Sequence, residues 1–402
     1  MSSNTNASDF GAKPVLDAAR AGTIRTIGWA VLAVGLVLCG VAFAAGGEQF
    51  GPSYLVGFMW ATTIALGGLF WPLVWRLTKA GWPAATRRHM EWMALFLPFA
   101  VILFIPVILK APHLYEAWMS PKGTEEIELI HKKHAWLNPT GFYVRAFIYL
   151  GIWTGLALLF RSLSFKQDKT NDPKLTIRAQ VLSAPSIVFF ALSVSFAGFD
   201  WIMSLMPSWY STIFGVYIFA GAGLSSLCAA ALILVRLRSW NVLGKVATVE
   251  HQHDLGKMLF GFIVFWAYIA FSQFILIWYA NIPEETIFFR MRWYEGGWKP
   301  WSLLLLFGHF FVPFIFLLSR WAKRINWMLV TGATLLLVMH FVDLYWLVKP
   351  NFGPFAFSWV DIAAWAGPAG VLFCVVAQQL AKGPVYAIHD PRIPETARME
   401  NI

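Results

Sequence analysis

The chain is dominated by apolar runs long enough to cross a lipid bilayer, and the run from Leu255 to Ala280 shows how tightly one of them constrains the fold. Inside hydrocarbon every backbone N–H and C=O must find its partner within the protein, so a single crossing run folds as an α-helix. About 20 helical residues at roughly 1.5 Å each span a hydrocarbon core of about 30 Å. This run opens on Glu250, His251, Gln252, His253 and Asp254 and closes on Asn281, Ile282, Pro283, Glu284 and Glu285, so ionisable groups mark both mouths. Gln273 is the strongly polar side chain of its middle, next to Ser272 and a turn beyond Tyr268. A polar group at that depth is expected to face neighbouring helices rather than lipid.

Nine further runs, at about 24–45, 52–75, 90–110, 141–160, 180–205, 212–235, 300–319, 326–348 and 359–381, predict an all-α polytopic membrane protein of ten transmembrane helices. Charged residues make up only 13% of the chain, about half of what a soluble protein carries, which agrees. The expected organisation is a polar N-terminal segment over 1–23, a transmembrane domain over 24–381 and a cytoplasmic tail over 382–402. Ala42-Phe43-Ala44 fits a signal-peptidase site, but the run before it is of spanning length and a retained first helix is expected. Lys and Arg concentrate before the first span, after the second, fourth, sixth and eighth, and in the tail. The positive-inside rule then puts both termini in the cytoplasm. That pattern accounts for the net charge of +10 better than a nucleic-acid partner does.

Prolines at 98, 106, 185, 313 and 368 fall inside spans and predict kinks. The long outer loop over 111–140 contains Thr124, Glu125, Glu126, Ile127, Leu129 and Ile130, a pattern for a short amphipathic helix on the membrane surface. Cys39, Cys228 and Cys374 are isolated in apolar runs, which argues against disulfides and against thiolate-bound zinc or iron–sulfur centres.

Ionisable residues within spans are costly and are functional candidates by default. Asp200 lies near the outer end of the fifth span, and His340 and Asp343 lie in the outer half of the ninth, three residues apart and so on one face. A carboxylate beside an imidazole passes protons readily. His309 in the eighth span sits at a depth similar to His340. The two rings would ligate a haem, continue a proton path or simply pack as satisfied core histidines, and the repeated within-helix histidine spacing of a two-haem cytochrome is missing. Glu116 and Asp361, at helix ends, are expected to cap helices or bond interfacial aromatics. His253 and Asp254 stand at the inner mouth of the seventh span, where acids also serve the helix dipole.

Three strings are distinctive: Gly198-Phe199-Asp200-Trp201-Ile202-Met203-Ser204-Leu205-Met206-Pro207-Ser208-Trp209-Tyr210, His251-Gln252-His253-Asp254-Leu255-Gly256-Lys257, and Trp278-Tyr279-Ala280-Asn281-Ile282-Pro283-Glu284-Glu285. With them the chain resembles, over nearly its whole length, the F subunit of alternative complex III, a bacterial quinol:electron-acceptor oxidoreductase related to the polysulfide-reductase membrane anchors. The resemblance implies two four-helix bundles, spans 2–5 and 6–9, flanked by spans 1 and 10, in the bacterial inner membrane. It implies partners: a paralogous quinol-binding membrane subunit, an iron–sulfur subunit, c-type haem subunits and in some assemblies a terminal oxidase. Iron–sulfur centres and haem c would then belong to those partners, with no metal or catalytic residue in this chain.

The expected function is a proton route serving quinol oxidation, which releases two protons per electron pair. Asp200, His309, His340 and Asp343 would form its outer part, and His253 and Asp254 its inner mouth. A quinone site at Asp200, Trp201, Trp209 and Tyr210 is the accompanying expectation. A purely structural scaffold subunit and a secondary transporter are the rival readings. Neutralising Asp200 or Asp343 separates the first two, because a scaffold would lose only yield.

Overall fold

The computed structural model describes residues 11–13, 15–122 and 124–400. It is 82% helical, with no strand among the described residues. Among the described residues nine helices are long and apolar enough to cross a membrane, ten if one bent pair counts as a single span. The chain is therefore a multi-pass membrane protein. In order the helices are α1 (Ala18–Ala45), α2 (Phe50–Leu77), the bent pair α3 (Arg87–Leu103 and Ile105–Leu114), α4 (Thr124–Lys133), α5 (Pro139–Thr170), α6 (Lys174–Trp201), α7 (Phe214–Ser239), α8 (Val249–Ala280), α9 (Pro283–Trp293), α10 (Lys299–Leu318), α11 (Asn326–Val348) and α12 (Trp359–Lys382).

The helix breaks follow from the sequence. Within α3, Pro106 lacks the N–H that would bond the Ile102 carbonyl, and there the two halves diverge by 57°. Pro98 does the same to Ala94, where the first turns of α3 stop. In α10, Pro313 cannot donate to His309, and the turns just before it, Leu305–Phe311, widen into a π-helix. Asn281 ends α8 with a left-handed φ of 50°, and Pro283 at the start of α9 suits the first turn of a helix. The segment expected to be amphipathic is the helix α4, with Ile130 turned inward.

Two helices make the centre. In their most apolar stretches α2 is 89% buried and α7 is 78% buried, against 17% for α1. They cross where side chains are small: a Cβ on Gly67 would fall 2.1 Å from the Ala222 carbonyl oxygen, and Trp71 Nε1 donates to the Gly223 carbonyl at 3.2 Å. The α2 side packs against α3, α5 and α6, and the α7 side against α8 and α11. At the periphery α1 packs chiefly through one stripe, Gly28, Gly35 and Ala42, laid against α12. A Cβ on Gly35 would lie 2.3 Å from the Ala366 oxygen. Backbones approach this closely in lipid because dispersion, not water exclusion, holds helices together. The rest of α1 presents side chains such as Val34 and Val37 outward.

One end of the molecule is basic and internally paired. Arg76 Nη2 meets Glu91 Oε1 at 2.7 Å, Arg88 pairs with Asp168, and Arg87 pairs with Asp390, all buried. The expected tail therefore folds back onto the helices. Ile388 N donates to Asp168 Oδ1 at 3.0 Å, and the Thr396 hydroxyl lies 2.7 Å from His251 Nε2. At Asp390 burial acts to raise the carboxyl pKa, but Arg87, together with the Arg392 backbone N–H, outweighs it and holds it below the usual carboxylate range. A depressed folded-state pKa contributes stability that is present above the unfolded value of about 4 and is lost as pH falls through the lower folded value. The tail is thus expected to resist proteolysis down to roughly pH 4 and to become cleavable only below it. In Asp390→Asn it should be cleavable at neutral pH, as read by mass spectrometry of the digest.

Candidate functional site

The sequence-derived acids separate into two unlike settings. Asp200, at the end of α6, is saturated. Its Oδ1 accepts from Trp136 Nε1 at 2.8 Å and Arg145 Nη2 at 2.9 Å, and its Oδ2 from Arg145 Nε at 2.7 Å and the Tyr149 hydroxyl at 2.9 Å. A carboxylate offers about four acceptor positions, and all are taken. Arg145 in turn stacks over Trp136. Of the aromatic residues expected beside it, Trp201 is fully buried and packs edge-on against Trp153. Trp209 stacks on Phe288 with centroids 4.0 Å apart, and Tyr210 points outward. These three rings do not converge on one space around Asp200.

Asp343 is different. It is buried in α11, one oxygen accepting from the Tyr217 hydroxyl of α7 and the other from Trp266 Nε1 of α8 at 3.2 Å. Among the described residues no basic side chain pairs with it. His340, on the same face of α11, bonds Thr63 of α2 through Nε2 at 2.8 Å, and its Nδ1 is buried without a partner. Gly221 makes room for that ring, since a Cβ there would lie 3.0 Å from His340 Cε1. His309, carried inward by the π-helical turns of α10, sets its ring edge-on to Trp266 with centroids 3.9 Å apart, and both of its nitrogens lack partners. Asp343, His309 and His340 therefore gather around Trp266, Tyr217 and Thr63, whereas Asp200 belongs to the other half of the fold.

Next to this cluster lies a cavity of about 1150 Å³ between α8, α9 and α10. Its walls are mainly aromatic and aliphatic, and Tyr217 and Trp266, the two donors to Asp343, are part of them. Gln273 also lines it, 5% exposed, with Oε1 buried and unpartnered. Arg292 stands in the wall as a buried cation whose bonds go to the carbonyls of Trp346, Phe288 and Leu347. In this stretch between spans, burial lowers its pKa to about 9.

The mouth residues of α8 take structural partners. Thr248 caps the helix with His251, Glu250 forms a two-bond ion pair with Arg324, and Asp254 pairs with Lys257. His253 is nearly buried and its Nδ1 is unpartnered. Asp361 accepts from the Ser358 backbone in a capping box and from Lys349 at 2.9 Å, the capping role expected of it. Among the described residues no three His, Cys, Asp or Glu side chains are grouped to hold a metal ion.

The reading of the spans weighed charged residues, histidines and the aromatic residues beside Asp200, and so passed over Tyr217 and Trp266. What could have found Trp266 is the stripe Trp266, Gln273, Ile277 at intervals of seven and four, which keeps one side of α8 turned inward. No protein-family model and no curated protein matches the chain.

Proposed function

We propose that the chain is the proton-handling membrane subunit of a quinol-oxidising electron-transfer complex of the alternative complex III type, set in a bacterial inner membrane with both termini cytoplasmic. The observation that carries this reading is Asp343: a carboxylate buried in α11, held by a phenol and an indole rather than by a cation, with His309 edge-on to the same indole and His340 three residues away on the same helix. A carboxylate without a counter-ion in a low-dielectric setting exchanges its proton more readily than one locked in an ion pair. Two bundles, spans 2–5 around α2 and 6–9 around α7, joined at the α2–α7 crossing and flanked by α1 and α12, fit this assignment. In it the paired Asp200 is structural and Asp343 is chemical.

A scaffold role is the second reading, favoured by the saturated bonding of Asp200 and the ion network at the basic end. The test is purification from native membranes in mild detergent, with the companions sequenced and a reduced-minus-oxidised spectrum recorded. Companions carrying iron–sulfur and c-haem motifs are the expected result. A chain that purifies alone without a redox spectrum overturns the assignment, and substrate-dependent flux by that isolated chain would make it a secondary transporter.

A further inference from the structure

At the basic end α8 packs against Val312–Leu318 of α10 and the short helix Arg320–Arg324, and towards the other end α8 and α10 part. The cavity of about 1150 Å³ is the wedge between them. It opens sideways, where Phe271, Leu306 and Phe311 line it and stand exposed. Walls that face an empty space lose their dispersion contacts, so in a bilayer the wedge is filled. A partner's helix approaches closely over small residues, as α12 does at Gly28 and Gly35 of α1. Here the walls carry Phe271, Phe274 and Phe310, to which a thin, flexible acyl chain conforms better. The polar lining narrows the occupant further. α9 folds back into the opening, with Phe289 on Phe274 of α8 at 5.2 Å between ring centroids. Arg290 follows the one and Gln273 precedes the other, so the two stand at about the same level, and both line the cavity. Arg290 is exposed and has no acidic partner among the described residues. With Arg292 it makes up the charged lining, so both charges are positive. Gln273 is 5% exposed, its Oε1 is enclosed without a partner, and its unbonded amide nitrogen is the end left open. A buried amide without a bond costs free energy unless a ligand completes it. A cation at the rim with an N–H donor beside it matches the phosphate and the ester carbonyl of a glycerophospholipid, which lie a few bonds apart. A free fatty acid would satisfy the cation and offer Gln273 only methylenes.

We propose that the wedge is a site for one phospholipid with a net negative headgroup, its phosphate on Arg290, an ester carbonyl on the Gln273 amide, and an acyl chain running between α8 and α10 towards Trp266. Trp266 lies two turns below Gln273 on α8, and with Tyr217 it holds Asp343. The end of the chain then covers both donors from the membrane side. The site rests on the walls and rim of the cavity and stands apart from the redox assignment.

The test takes the protein as purified from native membranes into nanodiscs of phosphatidylcholine. These carry a trace of phosphatidylglycerol with a diazirine in one acyl chain, or of phosphatidylcholine with the same labelled chain. After irradiation, label on the α8 peptide around residues 266–277 is divided by label on α1, whose outward face reports general contact with lipid. The ratio is expected to be several-fold higher for the phosphatidylglycerol label. It should fall about fivefold in Arg290→Gln, the worth of one base at a membrane surface, and comparably in Gln273→Leu. Arg290 is exposed, so its substitution leaves the fold in place and decides the matter even where Gln273→Leu lowers the yield. Equal ratios for the two headgroups, or a ratio indifferent to either substitution, would overturn the proposal. So would displacement by decyl-quinol as effective as by added phosphatidylglycerol, which would mark a ring site, and an α8 peptide without label, which would mark a wedge closed by a partner.

Discussion

Asp343→Asn is expected to lower quinol-driven electron transfer and its coupled proton release by about 10²-fold, the scale on which a positioned acid–base group commonly acts, with the amount of assembled complex little changed. The amide keeps the shape of the carboxylate and one acceptor oxygen for either the Tyr217 hydroxyl or Trp266 Nε1, and meets the other donor with an NH2. One mismatched contact costs about 1–3 kcal/mol, which a large membrane bundle tolerates. What is lost is the ability to take up and release a proton. Stopped-flow acceptor reduction with a pH dye in native vesicles reads both quantities. Wild-type rates in this variant would remove Asp343 from the mechanism and leave the scaffold reading in possession.

The opposite behaviour is expected of Arg145→Met. It strips Asp200 of two of its four donors and leaves a buried carboxylate with Trp136 and Tyr149 alone. Breaking a buried ion pair from one side costs about 3–5 kcal/mol, and the partial exposure of Arg145 places the loss at the lower end. The chain should therefore accumulate poorly and unfold at lower temperature in detergent. Arg145→Met combined with Asp200→Leu should recover much of the yield, since no unpaired charge then remains. Turnover per assembled complex should match wild type in the double variant. A fall in turnover there would return Asp200 to the proton route.

The contrast between these two acids shows what the sequence could and could not convey. Hydropathy located the crossing helices, because length and apolarity are local properties, and prolines 98, 106 and 313 marked real distortions of α3 and α10 for an equally local reason. Depth assigned from helix ends made Asp200 and Asp343 look alike. What separates them is the company each keeps: Arg145 is 55 residues from Asp200, and Tyr217 is 126 residues from Asp343. Such pairings depend on which helix faces meet, and periodicity within a single helix does not report that. Arg145 could be read as a base just inside a span, but nothing local named its partner. The tail is similar: the sequence marks it only as the segment beyond the last span, while Asp390 and Thr396 find buried partners on α3 and α8.

The central position of α2 bears on how the protein is made. Thr63 bonds His340 across 277 residues of chain. At synthesis rates of about 5–20 residues per second, roughly 15 to 55 s separate the appearance of the two. Through that interval the inner face of α2 stands in the membrane before its neighbours exist. The Thr63 hydroxyl also back-bonds to the Met59 carbonyl at 2.7 Å, within its own helix. That local bond lets the hydroxyl wait in hydrocarbon without a stranded donor, and the last third of the chain then closes around a helix that was inserted near the beginning.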